Sequence, residues 1–189
     1  MDPIELVAVV LGLASVVLTM RQSLWCWPTG IANVLLFAFV FFQARLYSDV
    51  ILQGVYVGVQ AWGWWKWTHG GDPGAGLPVS RIGRRQAYAT LAVGLVGTAG
   101  WGALMATCTN AAAPFADAGI AVWSLVAQAG LGKKILENWL VWICVDVLAV
   151  VVYMGRGLYL TSGLYAVFLV LATLGWQQWK RTLAQPAAA

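Results

Sequence analysis

The stretch Gly63-Trp64-Trp65-Lys66-Trp67 returns 112 residues later as Gly175-Trp176-Gln177-Gln178-Trp179. The pattern glycine-tryptophan-x-x-tryptophan therefore occurs twice, and the same spacing pairs Trp27 with Trp139. A repeat of this length in a very apolar chain predicts a transporter built from two similar halves. The seam between two such halves can open to either side of a membrane in turn.

The composition excludes a water-soluble domain. Of the 189 residues, 61% are hydrophobic and 10% are charged, with a mean hydropathy of +0.76, whereas a soluble domain carries about 25% charged residues. The three cysteines lie far apart without a CxxC or Cys/His cluster, which indicates neither a disulfide framework nor a metal site. Residues 1–5 lack a basic region and a cleavage site, and they predict a short acidic tail before a retained helix. The net charge of +4 is attributed to membrane topology and not to nucleic-acid binding.

Seven apolar runs reach or approach the roughly 17–25 residues that a helix needs to cross a hydrocarbon core. They lie at about Ile4–Met20, Trp27–Gln43, Asp49–Trp67, Ala87–Thr107, Asp117–Leu131, Trp139–Met154 and Leu158–Trp176. Helices are expected because an open strand would leave backbone groups unpaired in lipid. The fifth run is short and rich in small residues, which favours close packing against a neighbour.

The repeat and the seven runs together predict an all-α membrane protein in a 3+1+3 arrangement. Residues 1–67 form the first three-helix repeat, and residues 117–181 form the second. Between them, residues 68–116 form a cytoplasmic linker and a connector helix, and the stretch Thr68–Gln86, rich in glycine and proline, is interpreted as flexible. Residues 182–189 are expected to be a disordered tail. One connector helix restores the direction of the chain, so the repeats should run parallel about an axis along the membrane normal.

Basic residues concentrate on one side of this bundle. The segments after the first, third, fifth and seventh runs carry nine lysines and arginines, whereas the opposite side carries only Arg45 and Arg156. The positive-inside rule then predicts a cytoplasmic C-terminus and an N-terminus outside.

Several co-linear motifs resemble the PnuC family of vitamin transporters. They are Trp27-Pro28-Thr29-Gly30 with Asn33, Gln53-x-x-Tyr56-x-x-x-Gln60-x-x-Gly63-Trp64-x-x-Trp67, and Glu137-Asn138-Trp139-x-x-Trp142-x-x-x-Asp146 with Gly157-Leu158-Tyr159. The resemblance implies a fold similar to the SWEET sugar facilitators, a homotrimer in the bacterial cytoplasmic (inner) membrane, and uncoupled transport of nicotinamide riboside. It also implies dependence on a cytoplasmic kinase that phosphorylates the substrate after entry. Family relatives carry thiamine, riboflavin or deoxynucleosides, so these substrates remain alternatives.

The tryptophans are predicted to fall into two groups. Five are assigned to an aromatic belt among the lipid headgroups: Trp25, Trp64, Trp65, Trp67 and Trp179. Trp62 and Trp142 lie at least one turn inward of their helix ends and could either stack on a flat substrate or pack between helices. A cationic ring would gain additional energy from a desolvated tryptophan face.

Two polar-aromatic stripes at helical spacing define the expected substrate site. The predicted substrate-binding residues are Asn33, Gln53, Tyr56, Gln60, Trp62, Asn138, Trp142, Asp146 and Tyr165, with Gln128 as a weaker candidate. Their amides suit ribose hydroxyls and a carboxamide, and the alternative role is interhelical hydrogen bonding worth about 0.6 kcal/mol per bond. Asp146 lies near the centre of its run, where a carboxylate must face protein or water. It could partly balance a cationic substrate, hold a substrate-binding amide in place, or take part in an interhelical hydrogen bond to Asn33.

No motif indicates an enzyme or a nucleotide-driven pump. The chain has no phosphate-binding loop and no Ser/His/Asp set, no cofactor is expected, and the single histidine, His69, is given no role. A membrane-embedded enzyme acting on a lipid or isoprenoid would need clustered acidic or histidine residues, and the chain offers only Glu137 and Asp146. A purely structural membrane subunit is a third alternative, which the polar-aromatic stripes disfavour.

Overall fold

The computed structural model describes residues 3–45, 47–71, 76–109 and 113–185, which form seven α-helices. They are α1 (Pro3–Met20), α2 (Cys26–Gln43), α3 (Tyr47–His69), α4 (Arg84–Cys108), α5 (Pro114–Gly132), α6 (Asn138–Gly155) and α7 (Tyr159–Ala184). The seven predicted helices are confirmed, and most ends lie within three residues of the expected positions. The exception is α7, which continues to Ala184 into the predicted tail. The rest of that tail, residues 186–189, lies outside the described residues.

Six of these seven helices are long and apolar enough to cross a membrane by length and composition. The exception among the described helices is α3. Gln53, Gln60 and Lys66 interrupt its apolar sequence and lower its hydropathy. Because lipid cannot satisfy amide groups, the glutamine side of α3 must face protein or a cavity.

Six helices form a closed ring, and α4 lies outside it. Within the described residues, contacts run from α1 through α2, α3, α5, α6 and α7 back to α1, whereas α4 packs on α5 alone. The α4–α5 contact is close because Gly94 and Gly102 of α4 lie against the rings of Trp123 and Phe115, with no room for a Cβ atom. The ring therefore has an interior to which α4 does not contribute.

Two glycines make room for tryptophan side chains at one end of the six-helix ring. Trp27 of α2 lies directly on α3 at Gly63, and Trp139 of α6 lies in the same way on α7 at Gly175. A Cβ atom at Gly175 would approach the Trp139 ring to 2.7 Å, which is closer than a methyl group tolerates. Residues 112 apart thus make the same contact in the two parts of the chain.

Four tryptophans pack together at this end. Trp27 meets Trp67 edge to face with ring centroids 5.3 Å apart, and Trp139 meets Trp179 in the same way at 5.5 Å. The centroids of Trp67 and Trp179 are 6.1 Å apart, which joins the two pairs. We call these four residues the tryptophan cluster. Edge-to-face pairs of this kind add about 0.5–1.5 kcal/mol beyond the burial of their area.

The expected place of Trp67 and Trp179 in a headgroup belt is wrong, because both side chains are buried. Trp67 is 2% exposed, and its indole N–H donates to the Leu131 carbonyl at 3.0 Å. Trp179 is 0% exposed, and its indole N–H donates to the carbonyls of Thr19 and Met20 at 3.3 and 3.2 Å. The sequence placed these residues correctly near helix ends, but it did not reveal that their rings point between helices. These bonds tie α3 to α5 and α7 to α1.

The linker between α3 and α4 is held against the protein over part of its length, contrary to the expected flexibility. The Ser80 N–H donates to the Lys134 carbonyl at 2.9 Å, and the Ser80 carbonyl accepts from the Leu136 N–H at 2.8 Å. The Ile82 N–H donates to the Glu137 carboxylate at 2.9 Å. The docked part of the linker therefore covers the α5–α6 turn.

Replacing Trp179 tests whether the tryptophan cluster stabilises the fold. Trp179→Ala should lower the free energy of unfolding by about 3 kcal/mol or more, because it leaves a cavity and removes the ring contacts with Trp67 and Trp139. Trp65→Ala is the matched control, since Trp65 is 55% exposed, and it should change stability by less than about 0.5 kcal/mol. Thermal unfolding of the purified variants in detergent measures both. Equal stability of the two variants would contradict a core role for Trp179.

Candidate functional site

A cavity of about 270 Å³ lies inside the ring of six helices. Each of the six ring helices contributes side chains to its wall, and α4 contributes none among the described residues. The wall combines amides, hydroxyls and aromatic rings with one carboxylate. A mainly apolar cavity with a few convergent polar groups is the usual form of a small-molecule site.

Seven of the nine predicted substrate-binding residues lie in the wall of this cavity. They are Asn33, Gln53, Tyr56, Gln60, Trp142, Asp146 and Tyr165. The weaker candidate Gln128 also lines it. The structure thus brings together residues from α2, α3, α6 and α7, and their contact with a substrate stays a prediction.

The other two predicted residues lie elsewhere. Trp62 packs on α5, where a Cβ atom at Gly132 would come within 2.7 Å of its ring. Asn138 is 3% exposed, and its Nδ2 donates to the Ile135 carbonyl. It lines a groove on the outer side of the ring and not the central cavity.

Asn33 and Gln60 hold their positions through neighbouring helices. Nδ2 of Asn33 donates to the Ala8 carbonyl at 2.6 Å and ties α2 to α1. Gln60 of α3 is 6% exposed, and its side-chain oxygen lies where a Cβ atom at Gly30 of α2 would be. Gly30 is therefore the residue that allows this amide to reach the cavity wall.

Asp146 is the only charged side chain among the described residues that line the cavity. It is 3% exposed, and its carboxylate has no hydrogen-bond donor in the part of the chain that the structure describes. The hydrogen bond considered between Asp146 and Asn33 is not formed in the described structure, where Nδ2 of Asn33 donates to the Ala8 carbonyl of α1. The Asp146 oxygens are not among the buried polar atoms without a partner, because they open on the cavity. A cation or a hydrogen-bond donor of a ligand there would stabilise the carboxylate.

Two tryptophans of the cavity wall were not predicted as site residues. Trp27 and Trp139 line the cavity at its tryptophan end, and the indole N–H of each is buried without an acceptor in the described residues. Their shared 112-residue spacing, together with the glycines opposite them, is the sequence signal that marks the pair. Sequence reasoning also missed Ser15 and Ser124, which line the wall. Isolated hydroxyl residues in an apolar helix carry no periodic signal.

Lys134 lies behind the tryptophan cluster and not in the cavity wall. Its ammonium nitrogen is 4.3 Å from the centre of the Trp67 ring, and the residue is 8% exposed. Burial lowers the pKa of the Lys134 ammonium, while the face of the indole ring favours the charged form. No lysine or arginine lines the cavity itself among the described residues.

A ring of membrane-type helices around a polar and aromatic cavity defines a transporter of small organic molecules. The comparisons agree with this class. A family model described as nicotinamide mononucleotide transporter matches residues 2–181, and the chain belongs to this family of multi-pass membrane proteins.

Named relatives and a solved structure support the same family. The chain is 26% identical to the nicotinamide riboside transporter PnuC of Escherichia coli strain K12, over 93% of this chain and 84% of that protein. It is 29% identical to the riboflavin/roseoflavin transporter RibM of Streptomyces davaonensis, over 93% of this chain and 83% of that protein. The crystal structure of the vitamin B3 transporter PnuC matches with a TM-score of 0.74 and 25% identity, covering 95% of this chain and 81% of that one. The resemblance to PnuC transporters is confirmed.

A double-mutant cycle tests the packing of the cavity wall. Gly30→Ala should lower the free energy of unfolding by about 1–3 kcal/mol, because the added methyl group overlaps the Gln60 amide. Gln60→Ala removes that amide, so the double variant should be more stable than the sum of the single losses by about 1 kcal/mol. Thermal or denaturant unfolding measures the cycle. Strict additivity would show that the two residues are not in contact.

Proposed function

We propose that the protein takes up nicotinamide riboside through the central cavity by uncoupled facilitated diffusion. The observation that carries the proposal is the single carboxylate of Asp146, which opens on the cavity in a wall that also holds aromatic rings and amides. Nicotinamide riboside is a monocation with a flat pyridinium ring, a carboxamide and ribose hydroxyls. A ligand of this chemistry would pair with each kind of group in the wall. The named activity of the PnuC relative supports the choice.

Different residues of the cavity wall would contact different groups of the substrate. Trp142 offers a ring face to the pyridinium, which strengthens stacking by about 1–2 kcal/mol when the pair is desolvated. Asp146 lies one helical turn further along α6 and would balance the positive charge. Gln53 and Gln60 of α3 would exchange hydrogen bonds with the carboxamide or the ribose.

The alternative substrates are the other vitamins of the family. The RibM relative supports riboflavin, which is neutral and would leave Asp146 without a counter-charge. Thiamine is a cation and would supply a counter-charge for Asp146, whereas a neutral deoxynucleoside would not. Competition by each compound against labelled nicotinamide riboside ranks them, and the proposal requires nicotinamide riboside to bind tightest.

The transport movement is proposed to use two parallel three-helix repeats. In this 3+1+3 arrangement, α1–α3 and α5–α7 are the repeats and α4 is the connector. The equivalent contacts of Trp67 with Leu131 and of Trp179 with Thr19 support a twofold relation between the repeats. The bundles would rock about the cavity, and opening on the tryptophan side would separate the tryptophan cluster.

The orientation, assembly and trapping of substrate are also proposals. The basic excess at the tryptophan end supports a cytoplasmic C-terminus and an external N-terminus in a bacterial inner membrane. Cys108 is exposed at the opposite end of the bundle, and an impermeant maleimide should label it only from outside.

We further propose a homotrimer and a cytoplasmic kinase that keeps the vitamin inside by phosphorylation. Crosslinking in membranes and uptake in a kinase-deficient cell test these two points.

Nicotinamide riboside should bind while its mononucleotide should not. The phosphate dianion would enter a cavity whose described wall has no lysine or arginine and already holds Asp146. The expected penalty is about 3 kcal/mol or more, which weakens binding by roughly 100-fold. Calorimetry with both ligands on the purified protein measures the difference. Comparable affinities would refute the proposed basis of selection.

Trp142 is expected to stack on the substrate ring. Trp142→Ala should weaken nicotinamide riboside binding by about 5- to 150-fold, as for aromatic stacking on bases, while Trp142→Phe should retain part of the affinity. Trp64→Ala is the matched control, because Trp64 is 39% exposed and does not line the cavity. If the two alanine variants bind equally well by calorimetry, Trp142 only packs between helices.

Transport should be independent of ion gradients. Among the described residues Asp146 is the only ionisable carboxylate in the cavity wall, and a proton relay would require a further acidic or histidine partner. In proteoliposomes with equal substrate inside and outside, a proton or sodium gradient should therefore cause no net accumulation. Uphill uptake driven by either gradient would make Asp146 a coupling site.

A further inference from the structure

A second cavity lies outside the ring, in a groove between α4 and α6 that has α5 as its floor. Its volume is about 310 Å³. Within the described residues α4 and α6 do not touch, so the groove is open on the outer side of the bundle. Because α4 lies outside the ring, this opening faces the surroundings of the bundle, which in a membrane are lipid or a neighbouring copy of the chain. The groove shares no lining residue with the central cavity.

The groove is polar at one end and apolar beyond it. The polar end, at the α5–α6 turn and the start of α4, is lined by Gln86, Thr90, Lys133, Glu137 and Asn138. The deeper part is lined by Val93, Val126, Ala129 and Val141, while the apolar side chains of Ile82, Ala89 and Ile135 lie beside the polar ones. The lining therefore becomes less polar along the membrane normal, as a phospholipid does from its headgroup to its acyl chains.

Positive charge surrounds the polar end. Lys133 lines it, and Arg81, Arg84 and Arg85 are exposed where the linker enters α4. The carboxylate of Glu137 already accepts the Ile82 N–H at 2.9 Å. The first turn of α4 has no side-chain cap, so its free N–H groups add a partial positive charge. Glu137 is the one carboxylate at this end among the described lining residues, and the four basic residues around it exceed its charge, so the surroundings favour an anionic headgroup.

Asn138 supplies an independent observation at the same place. It is 3% exposed, and its Oδ1 has no hydrogen-bond donor in the described part of the chain. Its Nδ2 is already bound to the Ile135 carbonyl, which fixes the amide and leaves Oδ1 as the free acceptor. A buried acceptor without a donor costs about 1–3 kcal/mol, and a hydroxyl group of a ligand would satisfy it.

We propose that the groove between α4 and α6 binds an anionic phospholipid whose headgroup carries hydroxyl groups, as in phosphatidylglycerol. The phosphate lies by Lys133 and the first turn of α4, and a glycerol hydroxyl donates to Asn138. One acyl chain follows the apolar floor of the groove. Basic pockets between membrane helices at the positively charged end are typical sites for anionic lipids.

Native mass spectrometry of the delipidated full-length protein tests the site. Phosphatidylglycerol should bind more tightly than phosphatidylcholine of the same chain length. Lys133→Gln should weaken phosphatidylglycerol binding about fivefold, the usual effect of one basic residue near the membrane surface. Arg21→Gln is the matched control, because Arg21 lies 112 residues before Lys133, is exposed, and does not line the groove.

A second variant separates a built site from general attraction to basic loops. Ala89→Phe fills the groove beside Thr90 without changing charge and should also weaken phosphatidylglycerol binding at least fivefold. Retained binding of nicotinamide riboside and an unchanged unfolding temperature show that each variant is folded, and should Ala89→Phe fail this check, Lys133→Gln carries the test.

Three results would overturn the proposal. Equal losses for Lys133→Gln and Arg21→Gln with no effect of Ala89→Phe would mean surface electrostatics alone. Tight binding of free glycerol phosphate, with no gain from the acyl chains, would indicate a soluble phosphate ligand. A change of oligomeric state in Ala89→Phe would mean that a second copy of the chain fills the groove.

Discussion

The contact between a tryptophan ring and a bare glycine backbone is the constraint on which the rest of the structure depends. Trp27 lies on Gly63, and Trp139 lies on Gly175. Each contact lets an indole fill the space between adjacent helices at one end of the ring. Without the glycines the rings would move toward the cavity axis, and the neighbouring helices would separate.

The tryptophan cluster also supports the two helix contacts that close the ring. The contacts of α3 with α5 and of α7 with α1 close the ring, and in each seam a buried indole N–H donates to a backbone carbonyl at a helix end. In lipid there is no hydrophobic force between helices, so packing and buried hydrogen bonds of this kind carry the association. These contacts join the helices at one end of the ring, and the cavity lies next to them in the interior of the ring.

The sequence predicted position along each helix more completely than direction around it. Hydropathy located seven helices, and the spacing of Gln53, Tyr56 and Gln60 located a stripe that lines the cavity. Trp179 lies near a helix end, as expected, but a tryptophan there can face headgroups or neighbouring helices, and the sequence does not distinguish the two. Asn138 was assigned to the same stripe as Asp146 but lies in the outer groove. At 3.6 residues per turn, the separation of eight residues leaves an offset of about 80° around α6, so the two side chains do not share one face.

A structure of the protein with bound nicotinamide riboside tests the central claim most directly. The account predicts ligand density inside the six-helix ring, with the pyridinium ring against Trp142 and within about 4–6 Å of the Asp146 carboxylate, the range in which an opposite charge acts. Density outside the ring, or a ligand in the ring that touches neither residue, would contradict it.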